Sequence, residues 1–275
     1  MLGAITGDIV GSVYEWNNIK TKEFPLFRDD CFFTDDTVMT CAVAEAIMNG
    51  GSADDFIDAM KKYGRAYPGA GYGGRFGGWI VSADRRPYNS FGNGSAMRVA
   101  PCAWVAACGD AEDTQVPAEV RELAKRSAEV THNHPEGIKG ALATADAIFL
   151  CRRYFGSAAN DPAENKKKIK AHIEREYGYD LGKTLDGIRP TYRFNETCQE
   201  TVPQAISAFL ESVDFEDAIR NAISLGGDSD TLAAITGSIA EAAYGIPGPI
   251  KEKARSYLDK TLLSVLDRWN AFIGR

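Results

Sequence analysis

The chain has 275 residues, 44% hydrophobic and 25% charged, which is enough apolar material for a large core and excludes a mainly disordered state. A formal net charge of −7 works against nucleic acid or an anionic membrane as partner, because both would be repelled. No apolar run reaches the ~18 residues that a membrane-spanning helix needs.

The first stretch, LGAITGDIVGSVYE, carries Asp8 and Glu15 but no early Lys or Arg, so it does not read as a secretory signal. Gly3, Gly7 and Gly11 recur every four residues and would form a narrow helix stripe that a second helix could approach closely. Asp8 and Glu15 lie nearly two turns apart, so one helix would turn both toward a polar interior site. Helical spacing of apolar positions follows over 35–48, 53–63, 116–130, 137–154, 163–177, 203–213, 215–224, 231–243 and 250–272. No stretch alternates with the period of a strand. The expectation is an all-α fold in a single domain spanning 1–275. The basic run at 164–172 reads as the solvated face of an amphipathic helix, given Ile169, Ile173 and Tyr177. Cys31, Cys41, Cys102, Cys108, Cys151 and Cys198 form no CxxC pair and read as buried thiols of a reducing compartment, hence a cytoplasmic protein.

Glycine collects in three places: PGAGYGGRFGG at 68–78, SFGNGS at 90–95 and LGGDSD at 225–230. Such loops let backbone approach a ligand, although ordinary turns use glycine too. Two acidic motifs each open a helix, Thr34-Asp35-Asp36-Thr37 and Asp228-Ser229-Asp230-Thr231. Helix capping alone would explain acids there. A cap needs one oxygen, however, and each motif concentrates two carboxylates and two hydroxyls. Asp228 and Asp230 share a side only if their turn is extended. Crowded carboxylates are relieved by a hard divalent cation, and with no Cys or His adjoining, Mg²⁺ or Mn²⁺ is favoured over zinc.

These residues resemble the ADP-ribosylglycohydrolase family. The likeness runs in order from LGAITGDIVGSVYE through FTDDTVMT, GAGYGG, NSFGNGSAMRVAP and THNHPEGIKGA to LGGDSDTLAAITGSIAEAAYG, bracketing residues 2–245. It implies a compact orthogonal helical bundle with two Mg²⁺ or Mn²⁺ ions held by Thr34, Asp35, Asp36, Asp228, Asp230 and Thr231. Glu15 and Asp35 would activate water or stabilise charge while the glycosidic bond of ADP-ribose is broken. Gly71, Tyr72, Gly73, Asn89, Ser90, Phe91, Gly92, Asn93, Gly94 and His132 would cradle the nucleotide, with Phe91 stacking on adenine. Backbone N–H groups of glycine-rich turns can hold phosphate without net positive charge, which suits an acidic chain.

The implied partner is an ADP-ribosylated protein or a small ADP-ribose conjugate, acted on by a monomer. Arg98 is open between a phosphate clamp and an ion pair with a site carboxylate. His132 and His134 could instead mark a lone metal site, although no third histidine adjoins them. A haloacid-dehalogenase-type phosphatase would need a strand before its Asp-x-Asp, and none is expected here. Two rivals remain: a hydrolase of the ADP-ribose diphosphate, and a non-catalytic ADP-ribose-binding regulator. Selectivity for the leaving group is expected in 16–33, 68–80 and 178–200.

Overall fold

A computed structural model describes residues 1–109, 115–156 and 161–274, and every regular element among them is helical. In chain order these are α1 (Leu2–Gly11), α2 (Asp35–Met48), α3 (Ala53–Ala66), α4 (Gly74–Val81), α5 (Gly94–Met97), a 3₁₀ turn (Ala100–Trp104), α6 (Ala118–Glu129), α7 (Pro135–Phe155), α8 (Pro162–Tyr177), α9 (Leu185–Ile188), α10 (Cys198–Leu210), α11 (Phe215–Ser224), α12 (Ser229–Tyr244), α13 (Gly248–Ser256) and α14 (Lys260–Phe272).

The centre is α12, buried from Ser229 to Glu241 and packed against α1, α7, α10 and α11. The glycine stripe of α1 lies directly on it. A Cβ on Gly3 would meet Gly237 O at 2.2 Å, one on Gly7 would meet Ala233 O at 1.9 Å, and one on Gly11 would meet Asp230 Cα at 2.5 Å. The two helices therefore run antiparallel with backbones in contact, and the C-terminal end of α1 meets the N-terminal end of α12. One continuous core runs from Met1 to Trp269, with Phe56, Phe149 and Phe209 fully buried. Each such side chain contributes about 1.5–3 kcal/mol.

Local chemistry sets the helix starts. Ser52 and Asp55 form a reciprocal capping box on α3, and Asp214 caps α11. Four expectations need correction. First, α1 stops at Gly11, so Asp8 and Glu15 do not share a helix face. Asn18 turns the chain instead, its amide donating to Tyr14 O, Glu15 O and Gly227 O. Second, the glycine-rich stretch is loop only to Gly73; α4 begins at Gly74 because Phe76, Trp79 and Ile80 bury one face. Third, the helix expected over 250–272 is two, since Asp259 accepts from the N–H groups of Thr261 and Leu262 and starts α14 afresh. Fourth, α10 starts at Cys198 rather than at Pro203, which sits inside it.

All six cysteines are free, five buried and Cys108 half-buried. Among the described residues no helix is long and apolar enough to cross a membrane.

Candidate active site

The α1–α12 seam delivers acids from three distant parts of the chain to one place. Asp8 comes from the last turns of α1, Thr34, Asp35 and Asp36 from the start of α2, and Asp228, Asp230 and Thr231 from the start of α12. Two helix N-termini thus face the cluster, and their dipoles offset part of its negative charge. Asp228 precedes α12 in a non-helical conformation (φ −76°, ψ 79°), so it faces the same space as Asp230, as an extended turn requires. Gly226 and Gly227, both at positive φ, make that turn; a Cβ on Gly227 would lie 2.7 Å from the Tyr192 ring.

Asp8 is the brace. It accepts from Thr34 N at 2.9 Å, Thr34 Oγ1 at 2.7 Å and Thr37 N at 3.0 Å, and from Thr37 Oγ1. Asp36 is nearly the opposite case: Oδ2 accepts from Thr231 Oγ1 at 3.2 Å, while Oδ1 is buried without a partner. A buried carboxylate oxygen left bare costs about 1–3 kcal/mol or more. Asp228 Oδ2 accepts from Asn93 Nδ2 at 2.6 Å, and Asp230 Oδ1 from Thr231 N at 3.0 Å. Carboxylate oxygens of Asp8, Asp36 and Asp230 lie within 4.8 Å of one another, as do those of Glu15, Asp228 and Asp230. Asp230 belongs to both groups. The bare oxygen, the acid spacing and the absence of Cys or His are what a hard divalent cation requires.

Burial dominates the acidities. It pushes Asp8 up to about 6 against the hydrogen bonds from Thr37 and Thr34. Burial and then Asp228 and Glu196 raise Glu15 to about 7; burial and then Asp8 and Asp228 raise Asp35 to about 8. Asp36 and Asp230 are held well above the carboxylate range, again mainly by burial. A folded acid with a raised pKa keeps a proton that the unfolded chain releases, so stability is lost as pH rises through these values. In EDTA, the melting temperature measured by calorimetry is expected to fall by about 4 °C or more from about pH 5 to about pH 8.5. With Mg²⁺ the trend should reverse, because ionised acids bind the cation and protons no longer compete.

The acids line a cleft of about 390 Å³. Thr34, Asp35, Asp36, Asp228, Asp230, Thr231 and Glu15 all line it. So do Gly71, Gly73, Ser90, Gly92, Asn93, Gly94 and His132 of the expected nucleotide cradle. Tyr72, Asn89 and Phe91 do not line it. Tyr72 packs on Phe76, Asn89 takes a left-handed turn at φ 57° that anchors its N–H on Asn133 Oδ1, and exposed Phe91 packs on His134. The lone histidine metal site does not form: His134 Nδ1 accepts from Glu136 N and caps α7, while His132 Nδ1 pairs with Thr131 Oγ1.

Trp16, Phe32, Arg75, Phe76 and Glu196 also line it, from the segments 16–33, 68–80 and 178–200 expected to set selectivity but not singled out there, and sequence reasoning assigns no role to Tyr88 or Met97. Single residues scattered over irregular segments carry no spacing signal. Arg98 forms no ion pair with a site carboxylate. It is 1% exposed, Nη2 donates to Ser127 O at 3.1 Å and Thr131 Oγ1 at 2.8 Å, and Nε has no partner. Burial lowers it to about 10, so it stays a cation at neutral pH. Arg75, over the Tyr88 ring at 4.9 Å, adds a second positive charge to the lining.

Comparison with known proteins bears on the family and the fold. Human ADP-ribosylhydrolase ARH3 is 26% identical, the match covering 96% of this chain and 90% of that protein. The ADP-ribosylarginine hydrolase Tri1 of Pseudomonas putida is 24% identical, covering 90% of this chain and 70% of its own length. A solved structure described as an ADP-ribosylglycohydrolase-related protein complex superposes with a TM-score of 0.63 at 24% identity, covering 98% of this chain and 96% of that one. It shares the all-α fold. The profile of the ADP-ribosylglycohydrolase family matches residues 1–272, and the chain belongs to that family.

Proposed function

We propose that this protein is a metal-dependent hydrolase that cleaves the glycosidic bond between ADP-ribose and an acceptor, a protein side chain such as Arg or Ser or a small conjugate, and releases ADP-ribose. The observation that carries this reading is the make-up of one cleft: two groups of converging acids share its lining with glycine-rich backbone and two arginines. A ligand with an anionic diphosphate and a ribose diol has a group to suit each kind of lining. The whole chain, residues 1–275, acts as one domain and as a monomer.

Asp36, Asp228, Asp230, Thr34 and Thr231, with Asp35 beside them, would hold two divalent cations, Mg²⁺ or Mn²⁺. When bound, such a pair supplies Lewis acidity toward ribose hydroxyls and water. Asp8 orients Thr34 and the first turn of α2 through its hydrogen bonds. Asp35, half-buried at the cleft, accepts the proton of the attacking water as its oxygen joins the anomeric carbon. Glu15, half-buried on the opposite chain segment, stabilises the positive charge that develops there as the bond to the acceptor breaks. The acceptor leaves with the bonding electron pair and takes up a proton. Gly71, Gly73, Ser90, Gly92, Asn93, Gly94 and His132 hold the nucleotide; Tyr72, Asn89 and Phe91 support these loops from behind.

Product analysis decides it. Arg- and Ser-ADP-ribosylated peptides and O-acetyl-ADP-ribose, incubated with protein and Mg²⁺, are expected to yield ADP-ribose from at least one, and none in EDTA. AMP and ribose phosphate would instead reveal diphosphate cleavage. Tight binding with no product would reveal a regulator.

A further inference from the structure

Beside Gly92 and Gly94 of the cleft, three buried residues are joined in series. Arg98 Nη2 donates to Thr131 Oγ1 at 2.8 Å, and the same oxygen lies 2.8 Å from His132 Nδ1. Arginine can only donate, so Thr131 Oγ1 is an acceptor in the first bond. The hydroxyl proton of Thr131, a fully buried residue, then has one acceptor among the described residues, His132 Nδ1. The reverse assignment, Nδ1–H donating to Thr131, would leave that proton buried without an acceptor, at about 1–3 kcal/mol. The proton of the imidazole therefore sits on Nε2.

Nε2 faces the cleft glycines. A Cβ on Gly94 would lie 3.2 Å from His132 Nε2 and 4.0 Å from Arg98 Nη1, and one on Gly92 would lie 3.5 Å from Nε2. Two donors thus flank the glycine backbone that lines this part of the cleft. His132 N donates to Ala128 O at 2.7 Å, which fixes the main chain, and the Tyr88 ring packs on the imidazole at 6.1 Å. Arg98 itself is a buried cation whose hydrogen-bond partners are both uncharged. Burying such a charge is costly unless an anion completes it.

We propose that Arg98 and Thr131 are positioning residues that lock His132 as an Nε2–H donor for an oxygen of the ligand's diphosphate beside Gly92 and Gly94. The ligand half of this inference rests on the reading of the cleft as an ADP-ribose site; the tautomer half does not. A neutral imidazole locked in this way offers one fixed N–H, and the guanidinium behind it polarises the relay.

The test uses ¹⁵N-labelled full-length protein. Long-range ¹H–¹⁵N spectra, with His132 assigned by its loss in His132→Gln, should show Nδ1 as an unprotonated acceptor and Nε2 as N–H. Thr131→Ser should keep that pattern and bind ADP-ribose within about twofold of wild type by calorimetry. Thr131→Val, which keeps the shape but not the hydroxyl, should lose the single tautomer and bind about tenfold more weakly. An Nδ1–H tautomer in the wild-type protein, or equal binding by Thr131→Val and Thr131→Ser, overturns the proposal. Wild-type protein that shows the Nε2–H form yet takes up no ADP-ribose supports the relay and overturns the functional reading instead.

Discussion

Asp230→Asn is expected to abolish turnover while making the metal-free protein more stable. Asp230 is 4% exposed and is shared by both acid groups, so its loss removes a ligand from each. Removing one electrostatic partner of a reacting centre typically costs about 10²–10³-fold, and a shared one should cost at least the upper figure in kcat. Asparagine keeps the carbonyl oxygen that accepts from Thr231 N, so the start of α12 stays formed. The gain in stability follows from the proton. Burial favours the protonated form of Asp230 in the fold, whereas the unfolded chain releases that proton above the ordinary carboxylate range. Asparagine has no proton to hold. The variant should therefore be more stable than wild type near neutral pH, and the difference should shrink as the pH falls toward the ordinary carboxylate range. Calorimetry in EDTA reads the gain in stability, and a missing Mg²⁺-induced shift in melting temperature reads the lost ligand. Full activity in this variant would remove the mechanism proposed here.

Gly7→Ala should be the most damaging small substitution in the chain. An alanine in place of a helical glycine ordinarily gains about 1 kcal/mol. Here the new Cβ would stand 1.9 Å from Ala233 O and 2.2 Å from Ala233 C, and neither is the end of a flexible side chain. Relief requires α1 to move off α12 along the whole seam. Overpacking of this kind costs about 1–3 kcal/mol when side chains can yield, and backbone yields less. We expect a net loss of about 3 kcal/mol or more, which is about 10 °C in melting temperature for a chain of this size. Mg²⁺ binding should weaken with it, because Asp8 moves with the helix. Gly248→Ala provides the contrast: a Cβ there meets nothing within 4 Å, and the melting temperature should barely change.

The glycine stripe and the acid motifs are both legible in the amino-acid sequence, because each is a local pattern with a physical reason. Spacing of four predicts a close helix seam, and two carboxylates beside two hydroxyls exceed what capping needs. The geometry brings Asp36 and Asp230 together as that reading requires. Asp8 is legible as an interior acid but not as the brace of Thr34 and Thr37, since its partners lie more than 25 residues away. Glu15 reaches the site by a different route from the one its spacing suggests. The spacing predicts a shared helix face, whereas an asparagine-tied turn carries the residue there. The glycine motifs hide α4, whose buried Phe76, Trp79 and Ile80 outweigh the weak helix propensity of glycine. Phe91 and Asn89 show the limit of motif reasoning: membership of a cradle loop does not say which of its side chains turn inward.

The cleft is built from two kinds of material. Asp35, Asp36 and Asp230 hang from α2 and the central α12, whereas Glu15, Gly71, Gly73, Ser90 and Gly92 belong to segments between helices. Most of the converging acids are thus fixed to the part of the molecule least free to vary, and much of the recognition surface to the part most free. Loop insertions or exchanges could retune what the protein accepts while the reactive centre stays untouched, a division of labour that lets one scaffold serve many acceptors.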